Sequence, residues 1–382
     1  MVLVSLAARS LAKGASVPLF VPYEAPEDVD VTQPPNAVWQ RLWELSVENQ
    51  RENGGAGVNI PATPEETRAR WAQMLKTYTN EAYLICDADA SKPVPDFNSV
   101  DPALIVGDCV VSIFTEQPEE LAMSDVFVTA SARRRGFGSA ALELLKERVR
   151  ANGWKGLRAW TTSEHGTDLK PLSGSGSIGR GGFSGFPLAR GFKLEMVEQT
   201  AKVVIGEDPA AEFGLAERLA KLEEGGVTVE TFSYPLEGRA EEQYVVAMNQ
   251  FLRDMPRPEG SEATPFDVDE LRHFAKNLQS IGMRTVISAA LSGDGEWVGV
   301  SEITVRDGQN RAHQKGTWVR EDFRGRSIAK ALKVKNLAQA REFGLDEIHT
   351  EMADENASVR GLNESLGYQL DSVIAAWAWQ VD

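Results

Sequence analysis

Two stretches place arginines and small residues where an apolar, strand-like run meets a helical pattern. Arg133-Arg134-Arg135-Gly136-Phe137-Gly138 follows the run Met123 to Thr129 and precedes Ser139 to Asn152, where Leu142, Leu145 and Val149 recur at spacings of three and four before Gly153. A strand that turns tightly into a helix aims several backbone N–H groups at one point, and the helix dipole adds positive potential there. Such a point suits a diphosphate. Glycine lets the phosphate approach the backbone, and arginines add charge-assisted contacts at the rim. A solvated basic turn ahead of a helix is the plainer reading of one such segment taken alone. Arg324-Gly325-Arg326-Ser327-Ile328-Ala329 then repeats the arrangement roughly 190 residues later.

The titratable residues near the second turn are candidates for proton transfer. His313 lies six residues before Val319, on or entering the strand that leads to the turn, and imidazole exchanges protons near neutrality. A histidine at a strand start also serves ordinary structural ends. Glu302 is a carboxylate inside the apolar run Val298 to Val305, where burial would raise its pKa, although period-2 alternation also permits an outward-facing side chain. His349 and Glu351 border a later strand and are placed to line the same cleft or to sit in solvent, while His165 and His273 have no supporting context. The histidines and the two cysteines, Cys86 and Cys109, have no ligand spacing for a metal, and no Ser-His-Asp arrangement can be argued.

The elements that must position these groups occur in two rounds. In the first, helices are expected from Pro34 to Asn53, ending at Gly54-Gly55, and from the capping sequence Thr63-Pro64-Glu65-Glu66 to about Thr79. Strands at Ala82–Cys86, Ala103–Phe114 and Met123–Thr129 lead into the first turn and its helix. A strand at Leu157–Thr161, a Gly/Ser-rich loop from Ser173 to Gly185 and a strand at Phe192–Ile205 follow. A polar, partly helical connection, 207–226, then separates the rounds. The second round has helices at Glu241–Arg253 and Phe266–Ser280 and strands at Arg284–Leu291, Trp297–Val305 and Lys315–Val319. After the second turn come a helix at Ile328–Phe343, a strand at Glu347–Thr350, a helix at Ala357–Leu366 and a strand at Tyr368–Trp379.

Val128-Thr129-Ala130-Ser131-Ala132 running into Arg133–Gly138 and Ser139 resembles the acetyl-CoA motif of the GNAT acyltransferases, Arg/Gln-x-x-Gly-x-Gly/Ala. Val319 to Leu332 resembles it again, with Ser327 where the first glycine is usual and Ala329 as an accepted alternative to the last. Asn356-Ala357-Ser358-Val359-Arg360-Gly361-Leu362-Asn363-Glu364-Ser365-Leu366-Gly367-Tyr368 resembles the family's closing helix and Gly-aromatic strand start, and Asn363 stands where many members carry a thiolate-protonating tyrosine. In the first round Gly191-Phe192 keeps that ending without the asparagine. The layout resembles tandem, mycothiol-synthase-like members, in which the C-terminal copy performs the chemistry.

The resemblance implies an α/β (α+β) architecture of two tandem GNAT-type domains, each a mixed, mostly antiparallel central sheet flanked by helices: 1–206, a linker 207–226, and 227–382. It implies acetyl-CoA or another acyl-CoA as co-substrate, held by Val128, Arg133, Arg134, Arg135, Gly136, Phe137, Gly138 and Ser139 and by Val319, Arg324, Gly325, Arg326, Ser327, Ile328, Ala329, Asn356 and Asn363. It also implies direct transfer to an amine, with His313 taking the proton by its alignment with the base of the mycothiol-synthase-like domains; Glu302, read from its place in an apolar run, is the runner-up. Catalysis in the N-terminal copy, or acyl-CoA binding without turnover, stays open as an alternative.

The chain has 382 residues, long for one core, with 42% hydrophobic and 25% charged residues, an ordinary balance for a folded protein. Its formal net charge of −16 disfavours phosphate backbones and anionic lipids and favours a small cationic partner. Met1 to Lys13 is apolar but unlike an export signal, so a cytoplasmic location is expected, with monomer and homodimer both open.

Overall fold

Several helix starts are set by side chains that accept the first turn's orphan N–H groups. Asn36 Oδ1 accepts from the N–H groups of Val38 and Trp39 at 3.0 and 3.2 Å, opening α1 (Ala37–Asn53). Thr63 Oγ1 accepts from Glu66 N at 3.2 Å, opening α2 (Pro64–Thr77) on a proline at its first position. Asp267 and Glu270 exchange backbone bonds at 2.9 and 2.8 Å, a capping box that starts α8 (Val268–Ser280).

The computed structural model describes residues 18–23, 34–53, 63–91, 93–114, 121–163, 165–181, 183–255, 265–280, 282–353 and 356–381. The opening stretch 1–13 and the Gly54-Gly55 stop lie outside them. Two compact units form. The first comprises Met1–Ser163, Gly179–Glu195 and Ala375–Asp382, the second Glu164–Ile178 and Met196–Ile374.

In the first unit, strands β1 (Leu19–Pro22), β2 (Tyr78–Cys86), β3 (Ile105–Phe114) and β4 (Ala122–Val128) are successive antiparallel neighbours. Helix α3 (Phe137–Ala151) then carries the chain to β5 (Gly156–Ser163), which pairs with β4 in parallel. A parallel pair requires such a crossover. Helix α4 (Gly185–Leu188) follows the Gly/Ser-rich loop. The apolar face of α1 is inside: Val38, Leu42 and Leu45 are buried with Trp39 and Trp71 against Leu84 and Phe97. The last strand of the chain, β13 (Gln369–Gln380), ends in this unit, where Trp377 Nε1 donates to Thr161 Oγ1 at 2.8 Å.

The second unit repeats the plan. Strands β8 (Val227–Ser233), β9 (Met283–Ser292), β10 (Trp297–Arg306) and β11 (Arg311–Val319) are antiparallel neighbours. Helix α9 (Ile328–Glu342) crosses over to β12 (Glu347–Ala353), parallel to β11. On the far side of β12 lies β7 (Lys193–Val204), antiparallel to it over residues 198–204. Helices α7 (Arg239–Asp254) and α8 cover one face of the sheet through Tyr244, Met248 and Leu271, and α9 covers the other through Val334 and Leu337.

The stretch read as a linker, 207–226, forms α5 (Pro209–Glu212) and α6 (Leu215–Glu224), and Leu215 and Leu222 on α6 are buried within the second unit. Its leucines recur at helical spacing, so the segment packs like any amphipathic helix. Helix α10 (Ala357–Glu364) closes the round. No helix among the described residues is long and apolar enough to cross a membrane.

Candidate functional site

Both Arg/Gly turns adopt one backbone conformation. Residues two and four of each are left-handed: Arg134 and Gly136 in the first have φ of 64° and 95°, Gly325 and Ser327 in the second 77° and 62°. Each copy thus supplies glycine at one of the two left-handed positions and accepts a side chain at the other, at about 1 kcal/mol. Neither Gly136 nor Ser327 makes a side-chain capping bond, so the first N–H groups of α3 and α9 have no side-chain cap.

The surroundings of the turns differ. In the first unit Arg133 pairs with Glu52 and donates to Val128 O at 2.8 Å, and Arg135 forks onto Asp87 at 2.7 and 2.9 Å. A Cβ on Gly138 would lie 3.3 Å from the Phe186 ring, a close contact that a small shift of the ring would relieve. Arg190 stacks on that ring at 4.0 Å and donates to Ser139 Oγ beside Phe137, at the start of α3. In the second unit Arg324 donates to Val319 O at 3.0 Å and pairs with Asp254 at 3.0 Å, while Arg326 lies over Phe323 at 4.6 Å. Ile328 is buried and Ala329 is half-buried in the first turn of α9.

In each unit the parallel strands part soon after they meet. β4 and β5 pair only at Ala122–Leu157 and Met123–Arg158, and β11 and β12 only from Arg311–Glu347 to Gln314–Thr350. Beyond those points the edge of β11 from Lys315 to Val319 has no β12 partner, leaving backbone groups for a ligand in the wedge.

The second wedge begins at a β-bulge. Ser301 faces Thr317 and Ile303 faces Gln314, so Lys315 and Gly316 on β11 together oppose Glu302 on β10. Glu302 is buried and accepts a hydrogen bond of 2.7 Å from Tyr244 OH on α7. Burial pushes its carboxyl up to about 6, against the opposing pull of the Tyr244 bond and the Lys315 charge. His313 lies opposite Thr304, on the same face as Glu302. It is buried, and neither ring nitrogen has a hydrogen-bond partner. Burial, reinforced by Lys315 and His349, pushes its pKa down to about 3, so the ring is neutral at physiological pH.

A buried polar network sits on the other face of the bulge. The Gln314 amide donates to Glu302 O at 2.7 Å, a carbonyl that lies at the ladder's interruption, and to Ser301 Oγ at 3.1 Å. Asn336, fully buried on α9, donates to Ser301 Oγ at 3.1 Å and accepts from Ser288 Oγ at 2.7 Å, and Ser301 is 2.8 Å from Thr317 Oγ1. In the first unit β3 and β4 pair without interruption from Gly107–Val128 to Ser112–Met123. Aligning Gly107 with Gly299 and Val128 with Val319 sets Val110 at the place of Glu302 and Met123 at that of His313.

Asn356 caps α10, its Oδ1 accepting from Val359 N at 3.2 Å. Asn363 is buried on α10: its amide donates to Met352 Sδ at 3.4 Å and its Oδ1 has no partner. The buried Tyr368 hydroxyl also lacks a partner, and the Lys333 ammonium lies 5.1 Å from that ring, its pKa pushed down to about 7 by burial. His349 pairs with Glu347 at 2.9 Å. Glu351 Oε1 is 3.9 Å from His313 Nε2. His165 lies on β6 (His165–Leu169) and His273 on α8. Sequence reasoning passed over Tyr244, Gln314, Asn336 and Glu198. Gln314, next to His313, was the one with a readable signal, since strand alternation sets it on the face opposite His313.

The model of the acetyltransferase (GNAT) family matches residues 62–170 and 247–368, together more than half of the chain. The chain belongs to that family, as two GNAT domains in tandem. Among solved structures it is similar to a tandem GNAT protein from the clavulanic acid biosynthesis pathway, at 16% identity and a TM-score of 0.66, covering 95% of this chain and 98% of that one. It is also similar to a GCN5-related N-acetyltransferase from Sphaerobacter thermophilus, at 13% identity and a TM-score of 0.56, covering 94% and 95%. At these identities the likeness is one of fold. A comparison with curated proteins returned no match. The family fold implies acyl-CoA-dependent N-acyltransferase activity.

Proposed function

We propose that the second unit transfers an acyl group from acyl-CoA, acetyl-CoA in the first instance, directly to the amine of a small cationic molecule. The observation that carries this reading is the bulge at Lys315–Gly316 facing the buried Glu302, where the first unit has an unbroken ladder and Val110.

The second unit's residues fit the co-substrate. The N–H groups at Ser327, Ile328 and Ala329, without a side-chain cap, would hold the diphosphate with Arg324 and Arg326 at its rim. Val319 and the open edge of β11 would take the extended arm, and Asn356 and Asn363, with its unpaired Oδ1, would flank the thioester end. Bound acyl-CoA supplies an activated thioester. Backbone N–H groups released by the bulge polarise its carbonyl. Glu302, poised near 6, takes the proton that the ammonium must lose before its nitrogen can attack. His313, its pKa pushed down to about 3, is too weak a base for that task and serves instead as a hydrogen-bonding wall. In the first unit Phe186 and Arg190 cover the start of α3 at Gly138 and Ser139, which argues for a supporting role there. A reducing cytoplasm suits the two unpaired, buried cysteines.

The test is thiol release from acetyl-CoA against a library of amines. Turnover that survives Gly136→Glu and is abolished by Ser327→Glu supports the reading; the reverse pattern transfers catalysis to the first unit, and no release with any amine removes it.

A further inference from the structure

On the face of the second unit's sheet that carries Glu302, acidic side chains extend beyond the wedge. His349 stands beside His313 in register, and Glu351 two residues on shares its face. Across β12, Thr200 of β7 faces Glu351 and Glu198 faces Ala353, so Glu198 lies diagonal to Glu351 on the same side. Burial and the Glu351 charge together push the Glu198 carboxyl up to about 7.

Of the lysines nearby, Lys202 pairs with Asp371 at 3.0 Å, and the charge of Lys315 acts on Glu302 and His313 rather than on Glu198. Among the described residues neither Glu198 nor Glu351 has a lysine or arginine partner. The buried His313 ring, with both nitrogens unpaired, points Nε2 toward Glu351 Oε1 at 3.9 Å, too long for a hydrogen bond. Two carboxylates without a cation, next to an unpaired buried donor-acceptor, describe a place for a cationic ligand.

We propose that Glu198 and Glu351 bind a second cationic group of the acceptor, so that the substrates are diamine-like molecules whose reacting nitrogen sits at Glu302. Glu302 on β10 and Glu351 on β12 are two strands apart and lie where β11 and β12 have begun to part, so the two charges are separated by at least about 10 Å. His313 Nε2, 3.9 Å from Glu351 Oε1, accepts from the same ammonium, and its ring lies beside the connecting chain. The inference rests on the reading of the second unit as an N-acyltransferase. It also gives β7, which the sequence repeat assigns to the first copy, a specificity-determining residue in the second unit.

The experiment compares the eight-carbon α,ω-diamine, whose extended chain spans that separation, with octylamine, using the full-length protein. The wild type should favour the diamine at least about tenfold in kcat/KM, from one charge-assisted contact, chiefly through KM. Glu198→Gln with Glu351→Gln should reduce that ratio to about threefold or less, and Glu351→Gln alone, at an exposed position, should give an intermediate value. Equal use of both amines by the wild type, or an undiminished preference in the double variant, overturns the proposal. Calorimetric binding of the same two amines decides the matter if neither is acylated. Tighter binding of the diamine that the double variant loses upholds the site while the acyltransferase reading fails, and equal binding overturns the site itself.

Discussion

Tyr244 OH on α7 donates to Glu302 Oε2 across 2.7 Å, joining the helix that covers the sheet to the carboxylate that faces the bulge. The bond favours the ionised carboxylate, whereas burial favours the neutral acid, and burial prevails.

Glu302 must be deprotonated to act, so kcat/KM with the best amine should rise through a midpoint near 6 and level off above it. Glu302→Gln should lower kcat/KM by about 100-fold or more and remove that limb. Tyr244→Phe takes away the interaction that lowers the pKa and should move the limb to higher pH.

His313 stays neutral down to about 3, so it contributes no midpoint between pH 5 and 9. His313→Gln should leave the acidic limb where it is while raising KM for the amine. A limb that vanishes in this variant would transfer the proton-accepting role to His313.

The Gln314 amide satisfies Glu302 O at the bulge, and Asn336 ties the same network to α9. Gln314→Met should cost about 1–3 kcal/mol in urea unfolding, because the Glu302 carbonyl loses its donor and the Asn336–Ser301 network loses a member. Its kcat should fall more than this loss of stability explains, since the bulge also sets the wedge. Asn336→Leu should show the same pattern.

Ser327 occupies a left-handed position with φ of 62°. Ser327→Gly should stabilise the protein by about 1 kcal/mol, and Ser327→Val should destabilise it by at least as much. Thermal melts of the two variants check the sign.

Lys333 is buried and its amine is pushed down to about 7. Its folded pKa lies below the unfolded value, so the unfolded chain binds more protons and stability rises with pH from about 7 towards the ordinary lysine range. Lys333→Met should stabilise the fold by on the order of 2 kcal/mol at neutral pH, with the gain shrinking as pH rises.

Most element positions were readable because each carries a local signal. Thr63 announces a helix start, and the apolar run Val298 to Val305 announces a central strand buried on both faces. Short edge strands such as β1 and β8 have no such periodicity and were passed over. The two turns were legible as a pair, but the equivalence of Ser327 and Gly136 needed backbone angles. Glu302 and His313 were visible as polar residues in or near apolar runs, while their ordering by proton affinity depends on burial and on Lys315. Glu198 lay in a strand assigned to the other copy, and nothing local in the sequence reports which sheet a strand will join.

The last strand of the chain ends in the first unit, and β7, encoded in the first repeat, borders β12 in the second. A gene cut between the repeats would therefore yield two fragments, each lacking a strand and each exposing an unpaired edge, the template for aggregation. Neither repeat, taken alone, encodes every strand of its own unit.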